Sequence, residues 1–160
     1  MYYQNVFPKQ TQVDIISQLS LLPYKRQYNR EVCDVGVSYS YNGNQARFVP
    51  FPPLIQKLSE LAMKFAFSNT IPFNQCCINK YESGNNSLGS HCDNEPEVDS
   101  LQEIVSISFG VRRNFLLSKQ QYYLGEGDII VFNSNQFHSI PKDLSINETR
   151  YNLTFRVIKP

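Results

Sequence analysis

The sequence predicts an α+β domain in which two helices precede a series of short strands folded as a sandwich or barrel. Three observations predict it. Apolar residues recur at helical spacing in two segments before Phe67. Beyond Phe67 the pattern changes to short alternating runs separated by turn-rich stretches. The chain has 160 residues, 41% hydrophobic and 13% aromatic, which suits one folded domain with a real core and argues against disorder.

The first helix is expected within Val13–Leu22, where Val13, Ile16 and Leu19 share a face, Thr11 can cap and Pro23 stops the chain. Val35 to Tyr41 alternates and then meets Asn42-Gly43, a hairpin turn signal. Pro52 and Pro53 open the second helix, with Leu54, Leu58, Leu61 and Phe65 on one face. Strands are expected at Gln75–Tyr81, Ile104–Phe109, Asn114–Leu117, Asp128–Phe132 and Arg150–Ile158. A Gly-, Asn- and Ser-rich loop, Glu82–Gly89, leads into His91.

The formal charge of +1 supplies no global field toward nucleic acid or membrane, so any such affinity must come from local patches. No apolar run has transmembrane length, and Met1-Tyr-Tyr-Gln lacks the regions of a signal peptide. An intracellular, non-secreted protein without membrane contact is expected, and a monomer. Cys33, Cys76, Cys77 and Cys92 form no C-x-x-C pair, so free thiols are expected. Asn147-Glu-Thr149 and Asn152-Leu-Thr154 match the glycan acceptor pattern and are read as chance matches.

The segment Arg150–Arg156 carries the most chemistry. Read as a strand, it sets Tyr151, Leu153, Phe155 and the following Val157 on one face and Arg150, Asn152, Thr154 and Arg156 on the other. Two arginines on so apolar a strand point to an anion site. They lie about 20 Å apart along the strand, so they would approach the two ends of a dicarboxylate rather than clasp one carboxylate. Surface salt bridges to any of the 14 acidic residues are the plain alternative.

Upstream, His91 and Asp93 fall on one face of an extended segment, about 7 Å apart along it, and can reach one ion. His138 is the sole other histidine and closes the candidate set. Two histidines and a carboxylate are the facial triad of non-haem iron(II) sites. An H-x-D triplet alone arises often by chance, and Phe137, Ile140 and Pro141 also suit a core histidine.

Taken together, these motifs resemble the AlkB-like family of iron(II)- and 2-oxoglutarate-dependent dioxygenases. The matching residues are Asn79-Lys-Tyr81, Glu82-Ser-Gly84, His91-Cys-Asp93-Asn-Glu95, Ile104-Val-Ser-Ile-Ser-Phe-Gly110, Gly127-Asp128, His138-Ser-Ile-Pro141 and Arg150-Tyr-Asn-Leu-Thr-Phe-Arg156. They cover about half of the chain, from Phe73 to Val157. Gly36–Gly43 and Pro50–Leu54 look like the family's substrate-facing segment. The resemblance implies a double-stranded β-helix, or jelly roll, with flanking N-terminal helices. It implies a single domain over residues 1–160, with a substrate-facing and helical part to about 72 and a catalytic jelly roll over 73–160.

The resemblance also implies roles. His91, Asp93 and His138 would bind Fe(II), and dioxygen and 2-oxoglutarate would take the remaining positions. Arg150, helped by Tyr81 and Asn152, would grip the far carboxylate of 2-oxoglutarate, and Asn79 and Arg156 would assist at the metal end. The implied reaction is oxidative dealkylation of N-alkylated bases in nucleic acid, with release of succinate, carbon dioxide and formaldehyde. A sister enzyme acting on a protein side chain, lipid or small molecule is the alternative. Tyr39 and Tyr41 match the aromatic positions that contact an extruded base. Asn94 and Glu95 follow the metal motif, where an acidic residue reads the exocyclic amine in relatives; Asn94 departs from that pattern. Lys25, Arg26, Arg30, Arg112 and Arg113 are candidate phosphate contacts. Relatives that repair duplex DNA carry a wedge-bearing hairpin ahead of the substrate segment. The 35 residues before Gly36 are read as mostly one helix, so a single-stranded substrate is expected.

Overall fold

Alternation along the second half of the chain builds two antiparallel sheets that face each other. The computed structural model describes residues 1–39 and 48–160. In order these form β1 (Tyr2–Tyr3), α1 (Lys9–Leu19), β2 (Lys25–Gln27), β3 (Arg30–Val37), β4 (Phe48–Val49), α2 (Pro53–Met63), β5 (Gln75–Tyr81), β6 (Leu88–His91), β7 (Ile104–Gly110), β8 (Arg113–Leu117), β9 (Gln120–Leu124), β10 (Asp128–Phe132), β11 (His138–Ile140) and β12 (Arg150–Arg156). The larger sheet runs β1-β10-β7-β12-β5-β3-β2, with β4 beside β3, and the smaller runs β6-β11-β8-β9. From β5 onward the chain passes back and forth between the sheets, which is the winding of a jelly roll.

Strand β12 is the keystone. It pairs with β5 from Arg150↔Tyr81 to Arg156↔Gln75 and with β7 from Arg150↔Gly110 to Phe155↔Val105. Flanked on both edges, all seven of its residues are buried. Its pleat separates two environments, as alternation predicts. Tyr151, Leu153 and Phe155 join the core under the helices, with Ile15, Leu19, Ile55, Leu58 and Ala62. A second core lies between the sheets, where Tyr81, Ile104, Ile130 and Phe132 meet Phe115, Leu117, Leu124 and Ile140.

The helices form where expected but with different bounds and faces. α1 starts at Lys9 and ends at Leu19, so Thr11 lies inside it and Pro23 beyond its end. Val13 is 54% exposed, while Ile15 and Leu19 are buried. In α2 the buried residues are Ile55, Leu58, Ser59 and Ala62; Leu54 and Leu61, and Phe65 beyond the helix end, are partly buried against the same core. Fully burying Leu19 or Ile55 is worth about 1.5–3 kcal/mol each, more than intrinsic propensity supplies to so short a helix. Among the described residues no helix is long and apolar enough to cross a membrane.

Two further expectations change. β3 ends at Val37, so Tyr39 lies past the strand and the alternation argument does not extend to it. Asn42-Gly43 and Tyr41 lie outside the described residues. The segment before Gly36 is not mostly helix: α1 takes 11 residues, and β2 and β3 form a hairpin with Gln27 paired to Arg30. Gly36 itself has φ +85° and lies so close to the Asn74 carbonyl that a Cβ would collide with it.

Candidate active site

The two histidines meet through strand register. His91 ends β6, His138 begins β11, and they are direct partners across that antiparallel pair. Their ring centroids lie 4.3 Å apart. His91 Nδ1 is 2.8 Å from the Gly89 carbonyl, and His138 Nδ1 is 3.0 Å from the Gln136 carbonyl. A carbonyl can only accept, so these bonds hold the proton on Nδ1 and leave each Nε2 lone pair free. Asp93 Oδ1 lies 3.5 Å from His91 Nε2. One ligand atom from each of His91, Asp93 and His138 falls within 4.8 Å of the others. Phe115 and Phe132 pack around His138, 5.8 and 5.0 Å between ring centroids. Burial pushes the His138 pKa down, which favours the neutral imidazole a metal needs. At His91 burial also disfavours the charge, but Asp93 beside Nε2 and the Gly89 carbonyl at Nδ1 both favour the protonated ring and turn the net shift upward.

Asp93 is held by Arg156. Arg156 Nε and Nη2 donate to Asp93 Oδ2 at 2.9 and 2.7 Å, and Nη1 donates to Gln75 Oε1 at 3.1 Å. Burial alone would raise the Asp93 carboxyl, yet Arg156 and His91 hold it well below the usual carboxylate range. The guanidinium is therefore engaged by Asp93 and not left for one end of a dicarboxylate.

Arg150 has no carboxylate bonded to it among the described residues. It is fully buried, donates from Nη2 to Ser108 Oγ at 2.8 Å and from Nε to the Leu124 carbonyl at 3.3 Å. Its Nη1 is buried with no partner among the described residues, and so is the Tyr81 hydroxyl. The Arg150 guanidinium carbon lies 5.6 Å from the Tyr81 ring centroid. Burial pushes the Arg150 pKa down to about 10, which leaves it charged at neutral pH.

A cavity of about 500 Å³ opens on the triad. Asn79, Asn152, Thr154 and Arg156 line it, with Tyr39, Glu95, Arg30 and Cys77. Asn79 Oδ1 accepts from Arg30 Nε at 2.6 Å, and Asn152 Nδ2 donates to Ser106 Oγ at 2.6 Å. Asn152 is buried, which also rules out a glycan there. Tyr39 is only 6% exposed, and its ring centroid lies 5.9 Å from the Arg156 guanidinium carbon. Glu95 faces the cavity with a buried Oε2 that has no partner among the described residues. Asn94 is exposed and does not line the cavity. Two of the phosphate candidates are taken up internally. Arg113 is buried and donates to the carbonyls of Ser83, Asn86 and Pro141, and Arg112 is paired with Asp128 and Glu126.

Residues 1–156 match the 2OG-Fe(II) oxygenase superfamily. The chain belongs to that family. Among relatives, it is 27% identical over 145 residues to the DNA oxidative demethylase ALKBH2 of Bos taurus, covering 79% of this chain and 51% of that protein. The human protein of the same name is 26% identical over 143 residues, covering 78% and 54%. Alpha-ketoglutarate-dependent dioxygenase alkB homolog 3 of Rattus norvegicus is 26% identical over 139 residues, covering 75% and 47%. The chain thus spans about half the length of these relatives, and they mark it as an AlkB-like member of the family. In fold it resembles a 2OG-Fe(II) oxygenase family oxidoreductase from Burkholderia pseudomallei, with TM-score 0.65 at 18% identity over 94% of this chain and 78% of that one. It also resembles a prolyl hydroxylase from Trichoplax adhaerens, with TM-score 0.68 at 11% identity over 99% and 83%.

The residues of this oxygenase fit the family's cofactors. The converging ligand atoms of two histidines and one carboxylate are a donor set that suits iron(II). Arg150 Nη1 and the Tyr81 hydroxyl are buried donors without acceptors, which a carboxylate of 2-oxoglutarate would supply. When bound, iron(II) and 2-oxoglutarate provide oxidising power from dioxygen, the cosubstrate leaving as succinate and carbon dioxide. The sequence did not show the contacts that several site residues make. Arg30 joins Asn79 across two strands, Ser108 orients Arg150 from β7, and Phe115 and Phe132 wall His138 from opposite sheets. Alternation along β7 and β10 could have flagged Ser108 and Phe132 as inward-facing residues, but not what they touch.

Proposed function

We propose that this oxygenase removes N-alkyl groups from bases of nucleic acid, as an Fe(II)- and 2-oxoglutarate-dependent dioxygenase. His91, Asp93 and His138 hold the iron, Arg150 and Tyr81 bind the far carboxylate of 2-oxoglutarate, and Asn79, Asn152 and Arg156 shape the metal end. The observation that carries the substrate reading is Glu95. Its carboxylate faces the triad cavity with a buried oxygen that has no donor among the described residues, and the exocyclic amine of a base is such a donor. The names of the ALKBH2 and alkB homolog 3 relatives support the same class. Tyr39 borders the cavity as a wall rather than an open stacking platform.

The test is to incubate the iron-loaded protein with 2-oxoglutarate and a panel of N-methylated oligonucleotides, single-stranded and annealed, and to follow base masses. Loss of one methyl mass, absent in His138→Ala, supports the proposal. Consumption of 2-oxoglutarate with every oligonucleotide unchanged would move the reading to a protein, lipid or small-molecule substrate.

A further inference from the structure

The turn between β2 and β3 places an aromatic ring at the mouth of the catalytic cavity. Its two residues, Tyr28 and Asn29, line that cavity together with Gln27 and Arg30. Tyr28 is 89% exposed and has φ +51°, a left-handed conformation that glycine adopts freely and a bulky side chain rarely does. The turn is nevertheless pinned. Asn29 Nδ2 donates to the Asn85 carbonyl at 3.0 Å and to Ser87 Oγ at 2.9 Å, and Asn86 Nδ2 returns a bond to the Asn29 carbonyl at 2.9 Å. The hairpin tip is thus tied to the loop that leads into β6 and His91. An exposed aromatic side chain, in a backbone conformation that disfavours it, is held rigidly beside the site. No folding advantage accounts for that ring, since it buries almost nothing. The adjoining strand β2 exposes Lys25 and Arg26, which make no ion pair with a described residue.

We infer that Tyr28 is a stacking platform for the base that neighbours the target nucleotide, with one of the exposed cations of β2, Lys25 or Arg26, on the face turned to the adjoining phosphates. This rests on the nucleic-acid reading above and deepens it. A target base drawn into the cavity leaves its neighbour unstacked at the rim, and an aromatic face there recovers stacking without reading sequence. The cations of β2 suit a polyanion running across the hairpin. The same geometry explains why the strained position is occupied by tyrosine: its use lies outside the fold.

Fluorescence anisotropy of a labelled, short, single-stranded oligonucleotide with one N-methylated adenine provides the test, using the full chain with 2-oxoglutarate and with manganese(II) in place of iron(II). Tyr28→Gly is expected to weaken binding about tenfold, within the range for loss of one base–aromatic stack, and Tyr28→Phe to bind like the parent. The melting temperature of Tyr28→Gly should equal or exceed that of the parent, because glycine relieves the positive φ. An abasic residue next to the target, tested on each side, should weaken the parent on one side by a similar factor and leave Tyr28→Gly unaffected. Equal binding by Tyr28→Gly and parent overturns this inference alone. So do two losses that simply multiply, since the ring and the neighbouring base would then act independently. A parent protein that consumes 2-oxoglutarate but binds no oligonucleotide overturns the nucleic-acid reading and this inference with it.

Discussion

Arg150 and Arg156 stand at the two ends of one buried strand, yet the protein treats them oppositely. Arg156 receives a carboxylate from the chain itself, Asp93, and its charge is held well above its ordinary pKa by that partner despite burial. Arg150 is equally buried, but among the described residues it bonds only a hydroxyl and a carbonyl, and one of its nitrogens has no partner. A buried cation without an anion is costly unless something else supplies one. The paired arginine builds the metal cup by fixing Asp93. The other has a buried nitrogen without a partner among the described residues, as the proposed binding of an external carboxylate requires.

The largest expected effect tests the paired end. Arg156→Met leaves Asp93 buried without its counter-charge and should cost about 3–5 kcal/mol of stability, measured by urea unfolding. Adding Asp93→Asn should restore a large part of that loss. If Arg156→Met is as stable as the parent, the two ends do not differ as described.

Arg150→Met should behave in the reverse way. Removing an unpaired buried cation for an apolar side chain of similar length should leave ligand-free stability within about 1 kcal/mol of the parent or raise it. The melting-temperature rise that 2-oxoglutarate gives the parent should vanish in this variant. Persistence of that rise would place the far carboxylate elsewhere. Arg150→Lys sharpens the point. Replacing a planar fork by a point charge loses a charge-assisted hydrogen bond of about 1.5–3 kcal/mol, or about 10- to 150-fold in affinity, read by anaerobic titration with 2-oxoglutarate.

The smallest effect concerns the hydroxyl that aims the guanidinium. Ser108→Ala removes the 2.8 Å bond from Arg150 Nη2. A loss of about 0.5–1.5 kcal/mol, or about 2- to 10-fold in 2-oxoglutarate affinity, is expected with kcat little changed. A large fall in kcat at saturating 2-oxoglutarate would assign Ser108 a different task.

Strands with strong alternation were legible from sequence. Gln75–Tyr81 and Asp128–Phe132 are β5 and β10 to the residue, and the two faces of β12 separate as the pleat predicts. Short strands were not. β6 and β11 have 4 and 3 residues, too few for periodicity to register, although they bring His91 and His138 together. Helix faces were misjudged for a related reason. Val13 and Ile15 are both apolar, and only the position of the sheet decides that Ile15 is covered while Val13 faces solvent. Neighbouring Arg112 and Arg113 read alike, but the pleat of β8 takes Arg113 into the interior, where three carbonyls receive it.

The residue kinds alone pointed to candidate chemistry: two histidines, one H-x-D carboxylate and two arginines on an alternating strand suggested a metal-and-anion site, because ligand type and side-chain period are local properties. Tertiary structure decided which charge meets which partner. Asp93 and Arg156 are 63 positions apart and come together at 2.7 Å only because of sheet register and chain winding. The same winding leaves Arg150 without an anion among the described residues and ties the Tyr28 turn to the loop before His91. Charge pairing depends on distance in space, and no local pattern encodes that.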